Sequence, residues 1–564
     1  MNAVPTATDA RRDRREALWF FAVALLVLGA GYGLRDPWPA DEPRFVLVAK
    51  AMFEGGDWWF PHRGSELYPD KPPLYFWLLA AARALLGSWR WSFLLPSLLS
   101  ALATLWLVRD LGRRLWHPRA GLWAAIAVLC ALQFVYQGKR AQIDPTLVLC
   151  TTLSFYGVCR HVLLGPDWRW YWFGCACAGL GVILKGVGFL PLLALPAYAA
   201  MRWRGWQGLA PIPRGQALRW TGGALAFLAP IALWLVPLLW MGLHGDDPGR
   251  RAYLDNLLFK QTATRYADAW HHHQPAWYFL KVIALFWLPF SLAFAWLWRD
   301  WREAWRARDA RVWLPLAWGL LVVAFFSASP GKRDMYVLPA LPAFALAAAP
   351  FLPALVARPG FKRALWAFAG VLALALLALG VAGLAGHARA EAFAAGRGLG
   401  AEVRVLWWML AGVGAGIAVL ALVLRPRGAL VATGAALAGL WLAYGFVATP
   451  VLDADSSARA LMQQARAAAG PGVTLGLVDW KEQNLLQAPA PAIDFGFRRP
   501  REERMRLAIA WLREDPARRR LFVQAGLGDE ACLRLDADHA EPLGVANRRT
   551  WWLAGEAALT GACR

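Results

Sequence analysis

Thirteen apolar runs recur between residues 17 and 447, and they decide which solvent this chain folds in. They cover 17–34, 91–108, 120–137, 145–163, 169–185, 187–201, 221–242, 276–298, 313–329, 335–354, 364–386, 404–424 and 428–447. A run of roughly 18 or more residues with few charges is long enough to cross a bilayer as a helix. Inside hydrocarbon only helices and closed barrels satisfy their own backbone groups. The chain is 58% hydrophobic and 17% charged, whereas soluble domains carry about a quarter charged residues. These patterns predict a polytopic α-helical membrane protein with about thirteen transmembrane helices.

The formal net charge is +22. In a soluble protein that balance suggests nucleic acid as a partner. Here the cations sit in short segments between apolar runs, the pattern of cytoplasmic loops, and nucleic-acid binding is set aside. "RRDRRE" at 11–16 reads as a cytoplasmic anchor for a first span that stays in the protein, and no cleavable signal sequence is evident. With that end inside, the segments 109–119, 160–169, 202–219, 299–311, 357–363 and 425–427 all fall on the cytoplasmic side, and all carry arginine. The odd number of spans then places residues 448–564 outside the cytoplasmic membrane, in the periplasm of a bacterium. Two domains follow. Residues 1–447 form the membrane domain, with a long first outer loop at 35–90, and residues 448–564 form a small outer α/β domain. In the latter "GVTLGLVD" and "RLFVQAG" read as strands, and "REERMRLAIAWLRED" as a helix. No internal repeat or low-complexity segment stands out.

This topology brings distant charged residues to one face. Asp41 lies at the outer mouth of the first span, and Asp144 at the outer turn after the third. Lys332, Arg333 and Asp334 share that level, as does Arg265 if the loop 243–275 folds back. Charges at this depth are costly unless they pair or line a watery cavity. Carboxylates beside several cations suit a phosphate-bearing substrate and a proton to be removed. Each residue also has a plainer reading. Asp41 and Glu42 could cap the helix that starts near Pro43, and Asp144 could open the fourth span ahead of Pro145. Lys332 and Arg333 could snorkel to the interface, and Trp58, Trp59 and Trp77 could be interface anchors rather than sugar platforms. His271, His272 and His273 are candidate ligands for a divalent metal or a solvent-facing run. Of the seven cysteines, those at 130, 150, 159, 175 and 177 fall in apolar runs, where a small buried hydrophobe is expected. Cys532 and Cys563 are the pair placed outside, where a disulfide between them is expected.

The motifs in combination are more specific than any one alone. "ADEPRF", "GGDWWFPH" and "YPDKPPLYFW" follow the first span in that order. Then come "RAQIDPTL" at 140–147, "GVILKGVGFLPLLALP" at 181–196, "TRYADAWHHHQPAWYF" at 264–279 and "FFSASPGKRDMYVLPALPA" at 325–343. Together they resemble the PMT superfamily of lipid-linked-sugar glycosyltransferases, and most closely its bacterial ArnT-like branch, over residues 17 to about 350. The resemblance implies a GT-C membrane architecture. It also implies transfer of a sugar from a polyprenyl-phosphate donor to a lipid, glycan or protein acceptor such as lipid A, on the periplasmic face, by a monomer that needs no nucleotide cofactor. By that resemblance Asp41 is the catalytic carboxylate and Asp144 the acid of the second outer turn. Lys71, Arg44, Arg265 and Tyr336 belong to the donor-phosphate pocket, with Lys332 and Arg333 as further cations. Asp70 matches a metal ligand. Lys260 stands where the family has a histidine ligand, which leaves the metal open unless His271 to His273 replace it.

A transporter or lipid flippase is the competing reading. Such proteins usually hold their polar sites near the midplane on broken, repeated helices, and this chain gathers its charges at one outer mouth. The topology is testable by itself. A reporter fused after residue 460 is expected to be active when it reads the periplasm and silent when it reads the cytoplasm; the reverse pattern would undo the shared-face argument.

Overall fold

The computed structural model of the chain describes residues 7–258, 273–526 and 532–560. Lys260, Arg265, His271, His272 and Cys563 lie outside the described residues.

Helices stand at all of the predicted spans, several of them bent or short. The first runs Ala7–Gly29, and the second Leu95–Leu115. The third is broken at Ala131 into Pro118–Cys130 and Leu132–Gly138, with a bend of 71°. Among the described residues six helices can cross a membrane by length and composition, or up to eight when each bent pair counts once. The thirteen apolar runs exceed that number because several are short or interrupted, as at Leu190–Leu193 followed by Ala194–Trp203. The bundle has a core and a periphery. Ile143–Val162 is buried along nearly its whole length. In contrast, only 11% of the apolar window of Ala217–His244 is buried, which leaves Leu225, Leu233 and Val236 to lipid. Small residues let the core helices close up: a Cβ on Gly157 would lie 2.3 Å from the Trp170 carbonyl on the next helix. Close approach of this kind strengthens packing where no hydrophobic force separates helix from lipid.

The first outer loop is folded rather than extended. It holds the helix Glu42–Gly55, a two-residue hairpin of His62–Arg63 with Glu66–Leu67, and the helix Leu74–Leu86. The outer domain begins as a continuation of the last membrane helix through Thr449–Ser456. Its five-stranded sheet has the order Ala492–Asp494, Thr474–Leu477, Arg519–Gln524, Arg549–Ala554, Ala540–Ala546. The first three strands are parallel and the last two antiparallel. Phe522 stacks on Trp551 at 4.5 Å in its interior, and Arg501–Glu514 is the helix read from the sequence. Cys532 is disulfide-bonded, while the five cysteines in the apolar runs are free thiols.

Loop, bundle and outer domain are fastened to one another by buried ions. Glu42 is fully buried and accepts hydrogen bonds from Arg35 Nη2 at 2.8 Å, the Trp38 amide at 2.8 Å and the Ala141 amide at 3.0 Å. It therefore does not serve as the helix cap that its position suggested. Asp36 takes both Nε and Nη2 of Arg459 at 2.6 Å, and Asp453 accepts the Asp36 amide and Trp38 Nε1. Removing one partner of a buried pair strands the other charge at a cost of roughly 3–5 kcal/mol. Glu42→Ala is therefore expected to lose about that much stability, read as a fall in the melting temperature in detergent; an unchanged melt would show that Glu42 is not the fastener.

Candidate active site

Asp41 ends the turn at 39–41 just before the anchored Glu42, and this fixes its carboxylate at the outer mouth of the bundle. Although it precedes Pro43 at a helix start, its side chain makes no cap bond. Its Oδ2 instead accepts Arg333 Nη2 at 3.1 Å and Gln142 Nε2 at 3.5 Å, and its Oδ1 lies 3.6 Å from Arg44 Nη1. Burial acts to push the Asp41 carboxyl up. The guanidiniums of Arg333 and Arg44, with the hydrogen bonds from Arg333 and Gln142, outweigh it and hold the carboxyl below the usual carboxylate range.

Asp144 is also no cap. It lies within the first turn of Ile143–Val162, and Gln142 precedes that helix. Its Oδ1 pairs with Lys185 Nζ at the outer end of Trp168–Lys185. The ammonium of Lys185 also sits 4.8 Å from the Tyr336 ring, so Asp144, Lys185 and Tyr336 form a second group beside the first. Arg333 joins the two: it bonds Asp41 and lies within the field of Asp144 and Tyr336. Lys185 was not singled out in the sequence, but the signal was there. It is the lone charge in the run 181–196, at a depth where an unpaired cation is costly.

The remaining predicted residues divide. Arg44 joins the site, with its Nε bonded to Glu482 Oε1 at 2.7 Å. Lys332 does not. It is 4% exposed, and its ammonium donates to the carbonyls of Gln274, at 2.9 Å, and Ser329. It braces the loop that carries Arg333 and has no free reach toward a phosphate. Asp70 pairs with Arg498 of the outer domain at 3.1 Å, and His273 is exposed, its backbone bridged to Gly331. Among the described residues no three His, Cys, Asp or Glu side chains converge as metal ligands. Asp70 and His273 as placed therefore do not fit a metal centre. Lys71 is half-buried at the start of the turn before Leu74–Leu86. Trp59 and Trp77 meet edge to face at 5.9 Å, a packing contact.

The resemblance read from the motifs has counterparts in known proteins. Residues 70–234 match the family described as dolichyl-phosphate-mannose-protein mannosyltransferase. An undecaprenyl phosphate-alpha-4-amino-4-deoxy-L-arabinose arabinosyl transferase of Pseudomonas aeruginosa is 32% identical over 340 residues, which cover 58% of this chain and 57% of the relative. A transferase of the same name from Pseudomonas fluorescens is 31% identical over 379 residues, covering 65% of each. The chain thus spans under two thirds of the length of the curated relatives it matches. The crystal structure of ArnT from Cupriavidus metallidurans bound to undecaprenyl phosphate superposes with a TM-score of 0.71 at 21% identity, over 96% of this chain and 98% of that one. The chain has the ArnT fold. That coverage takes in the outer domain as well as the bundle, whereas the sequence motifs stop near residue 350.

The charge arrangement predicts a pH response. With Arg333 in place the Asp41 carboxyl is held below its ordinary value, so its ion pairs persist to lower pH than those of an unperturbed carboxylate and are lost as pH falls through the lowered value. Arg333→Gln removes the largest opposing charge and leaves burial, which acts upward. The acid limb of any Asp41-dependent activity is expected to move to higher pH in Arg333→Gln, and an unmoved limb would show that Arg333 does not set the state of Asp41.

Proposed function

We propose that this protein is an inverting membrane glycosyltransferase. It would take a sugar from a polyprenyl-phosphate donor and pass it to a hydroxyl or phosphate acceptor at the periplasmic face of the inner membrane. The observation that carries this reading is the ion cluster at the outer mouth of the bundle, where Asp41 lies between Arg333 and Arg44 beside Asp144 and Lys185. Its relatives' names support 4-amino-4-deoxy-L-arabinose on undecaprenyl phosphate as the donor; lipid A is the acceptor this reading takes from the resemblance of the sequence motifs. Nucleotide sugars are not available outside the cytoplasmic membrane, so a lipid carrier is the donor chemistry that fits this face.

The reaction breaks the bond between the anomeric carbon and the donor phosphate oxygen, and forms one from that carbon to the acceptor oxygen. A phosphodiester with one negative charge leaves as a phosphate monoester with more. Arg44, Arg333 and Lys71 are the cations assigned to that growing charge, where preorganised donors contribute most. Asp41 is assigned to take the proton of an acceptor hydroxyl. In the free protein its cations make it a weak base; a donor phosphate bound among the same guanidiniums neutralises them and returns the carboxyl toward basicity, nearer the working pH at which general bases are efficient. An acceptor phosphate oxygen needs no deprotonation, and Asp41 then orients Arg333 and Arg44. Asp144 and Lys185 hold each other and Tyr336 at the edge of this cluster. No step is routed through a metal ion. The first outer loop, residues 35–90, and the outer domain from 448 complete the catalytic face in this reading, with a monomer as the working unit.

The test is transfer by purified protein in detergent from undecaprenyl-phosphate-linked aminoarabinose to lipid A, followed by mass spectrometry of both lipids. Modified lipid A together with free undecaprenyl phosphate is the expected result; a flippase would leave the sugar–phosphate bond intact. With a hydroxyl acceptor Asp41→Asn is expected to lower turnover per folded molecule by roughly 100-fold or more, the usual worth of a general base, with donor binding little changed. Near-normal turnover would remove Asp41 from the chemistry.

A further inference from the structure

Glu482 belongs to the outer domain, 438 positions from Arg44 in sequence. It opens the short helix Glu482–Gln487, which packs against the loop helix Glu42–Gly55. Its Oε1 accepts a hydrogen bond from Arg44 Nε and forms an ion pair with Arg63 Nη2, each at 2.7 Å, and its side chain is 7% exposed. Two guanidiniums that would otherwise repel each other are thus brought within a few ångströms by one carboxylate. Arg63 is held on its other faces by the same domain, its guanidinium 3.9 Å from the Phe497 ring and 5.8 Å from Trp480. Burial and the nearby Arg44 both disfavour the charge on Arg63, and Glu482 is the strongest group opposing them. The Arg63 Nε is buried and has no hydrogen-bond partner among the described residues, while the side chain as a whole keeps 17% exposure.

Asp41 and Glu482 pair with Arg44, Arg63 and Arg333, so three guanidiniums share two carboxylates. Guanidiniums gathered in this way suit an anion such as the phosphate of a polyprenyl-phosphate sugar. Outer-domain groups also hold the hairpin that carries Arg63. Asp494 accepts the Ser65 amide at 3.0 Å and its hydroxyl at 2.8 Å, and Glu66 accepts the Arg498 amide at 3.0 Å. The hairpin therefore depends on the outer domain on several sides at once.

We infer that Glu482 is a positioning residue that gathers Arg44 and Arg63 into one anion-binding pair, so that the outer domain builds part of the site and Arg63 joins the groups that take the lipid phosphate. This rests on the proposed function for the identity of the lipid. Glu482 itself touches no substrate in this arrangement; it acts through the two arginines.

The test is a double-mutant cycle of wild type, Glu482→Ala, Arg63→Ala and the double variant, each checked for folding by thermal melt in detergent. Binding of undecaprenyl phosphate alone is measured first, and kcat/KM for the sugar-loaded lipid second. Each single variant is expected to weaken undecaprenyl phosphate binding by about tenfold. In the Glu482→Ala background, adding Arg63→Ala is expected to change binding less than about twofold, because residues that act through one contact are not additive. Losses that multiply in the double variant, or Glu482→Ala binding within about twofold of wild type, would overturn the inference. If Glu482→Ala does not fold, Glu482→Gln replaces it in the cycle under the same criteria, since it keeps the side-chain shape and removes the charge. A wild type that binds undecaprenyl phosphate but transfers no sugar defeats the transfer reading alone, and the binding cycle still decides on Glu482.

Discussion

The buried carboxylate of Glu42 is the contact on which the outer face of this protein depends. It draws Arg35, the Trp38 amide and the Ala141 amide to one point. In doing so it ties the end of the first span, the start of the first loop and the turn before the fourth span together. A buried acid with so many donors can remain ionised: burial disfavours its charge, but Arg35, Arg140 and the backbone bond from Trp38 hold its carboxyl below the ordinary range. Such a pair is weak evidence for net stability; what it does here is hold three separate chain segments to one carboxylate. Asp41 is the next residue back along the chain. Its place at the mouth of the bundle follows from its neighbour's burial.

The many charges at this level fall into two kinds. One kind fastens structure. Lys139 directs its ammonium to the carbonyls of Val27, at 2.8 Å, and Ala30, at 2.7 Å, which close the end of the first helix; a cation there complements the helix terminus. Asp36 with Arg459, and Lys332 with its carbonyls, are of the same kind. The other kind keeps some exposure and shares partners. Arg333 and Arg44 are 35% and 29% exposed at the side chain and both lean on Asp41. Asp41 and Glu482 each have a second guanidinium, so one cation can turn toward an incoming anion while the other still holds the carboxylate. That difference, rather than the mere count of charges, separates the site from its scaffold.

How much of this was legible in the sequence depends on the range of the interaction involved. The helical character of the apolar runs was legible because hydrocarbon allows few solutions to backbone hydrogen bonding, and every predicted run holds helix. The number of spans was not, since six to eight of the described helices are long and apolar enough to cross. The shared depth of Asp41, Asp144 and Arg333 followed from topology alone. Capping, the plainer alternative for Asp41 and Asp144, is not what their side chains do, for an instructive reason. A residue before proline at a helix start has the local pattern of a cap, but a charged partner from elsewhere competes for the same oxygen atoms. Arg333 lies 292 positions from Asp41, and Lys185 lies 41 positions from Asp144, so no local pattern could announce either pairing. Asp70 shows the same effect, with Arg498 of the outer domain against it.

By itself the sequence determined the apolar solvent of the helices, the gathering of the polar chemistry at one end of them, and the residue types available there. These follow from hydropathy and from arginine placement, which act on each segment separately. Only the tertiary structure decided which charges meet. It paired Asp41 with Arg333 and Arg44, gave Asp144 to Lys185, withdrew Lys332 into its own loop, and brought Glu482 from the outer domain onto Arg44 and Arg63. The physical reason is that ion pairing and hydrogen bonding operate over a few ångströms and are chosen by packing, whereas burial in a membrane is chosen by composition along tens of residues.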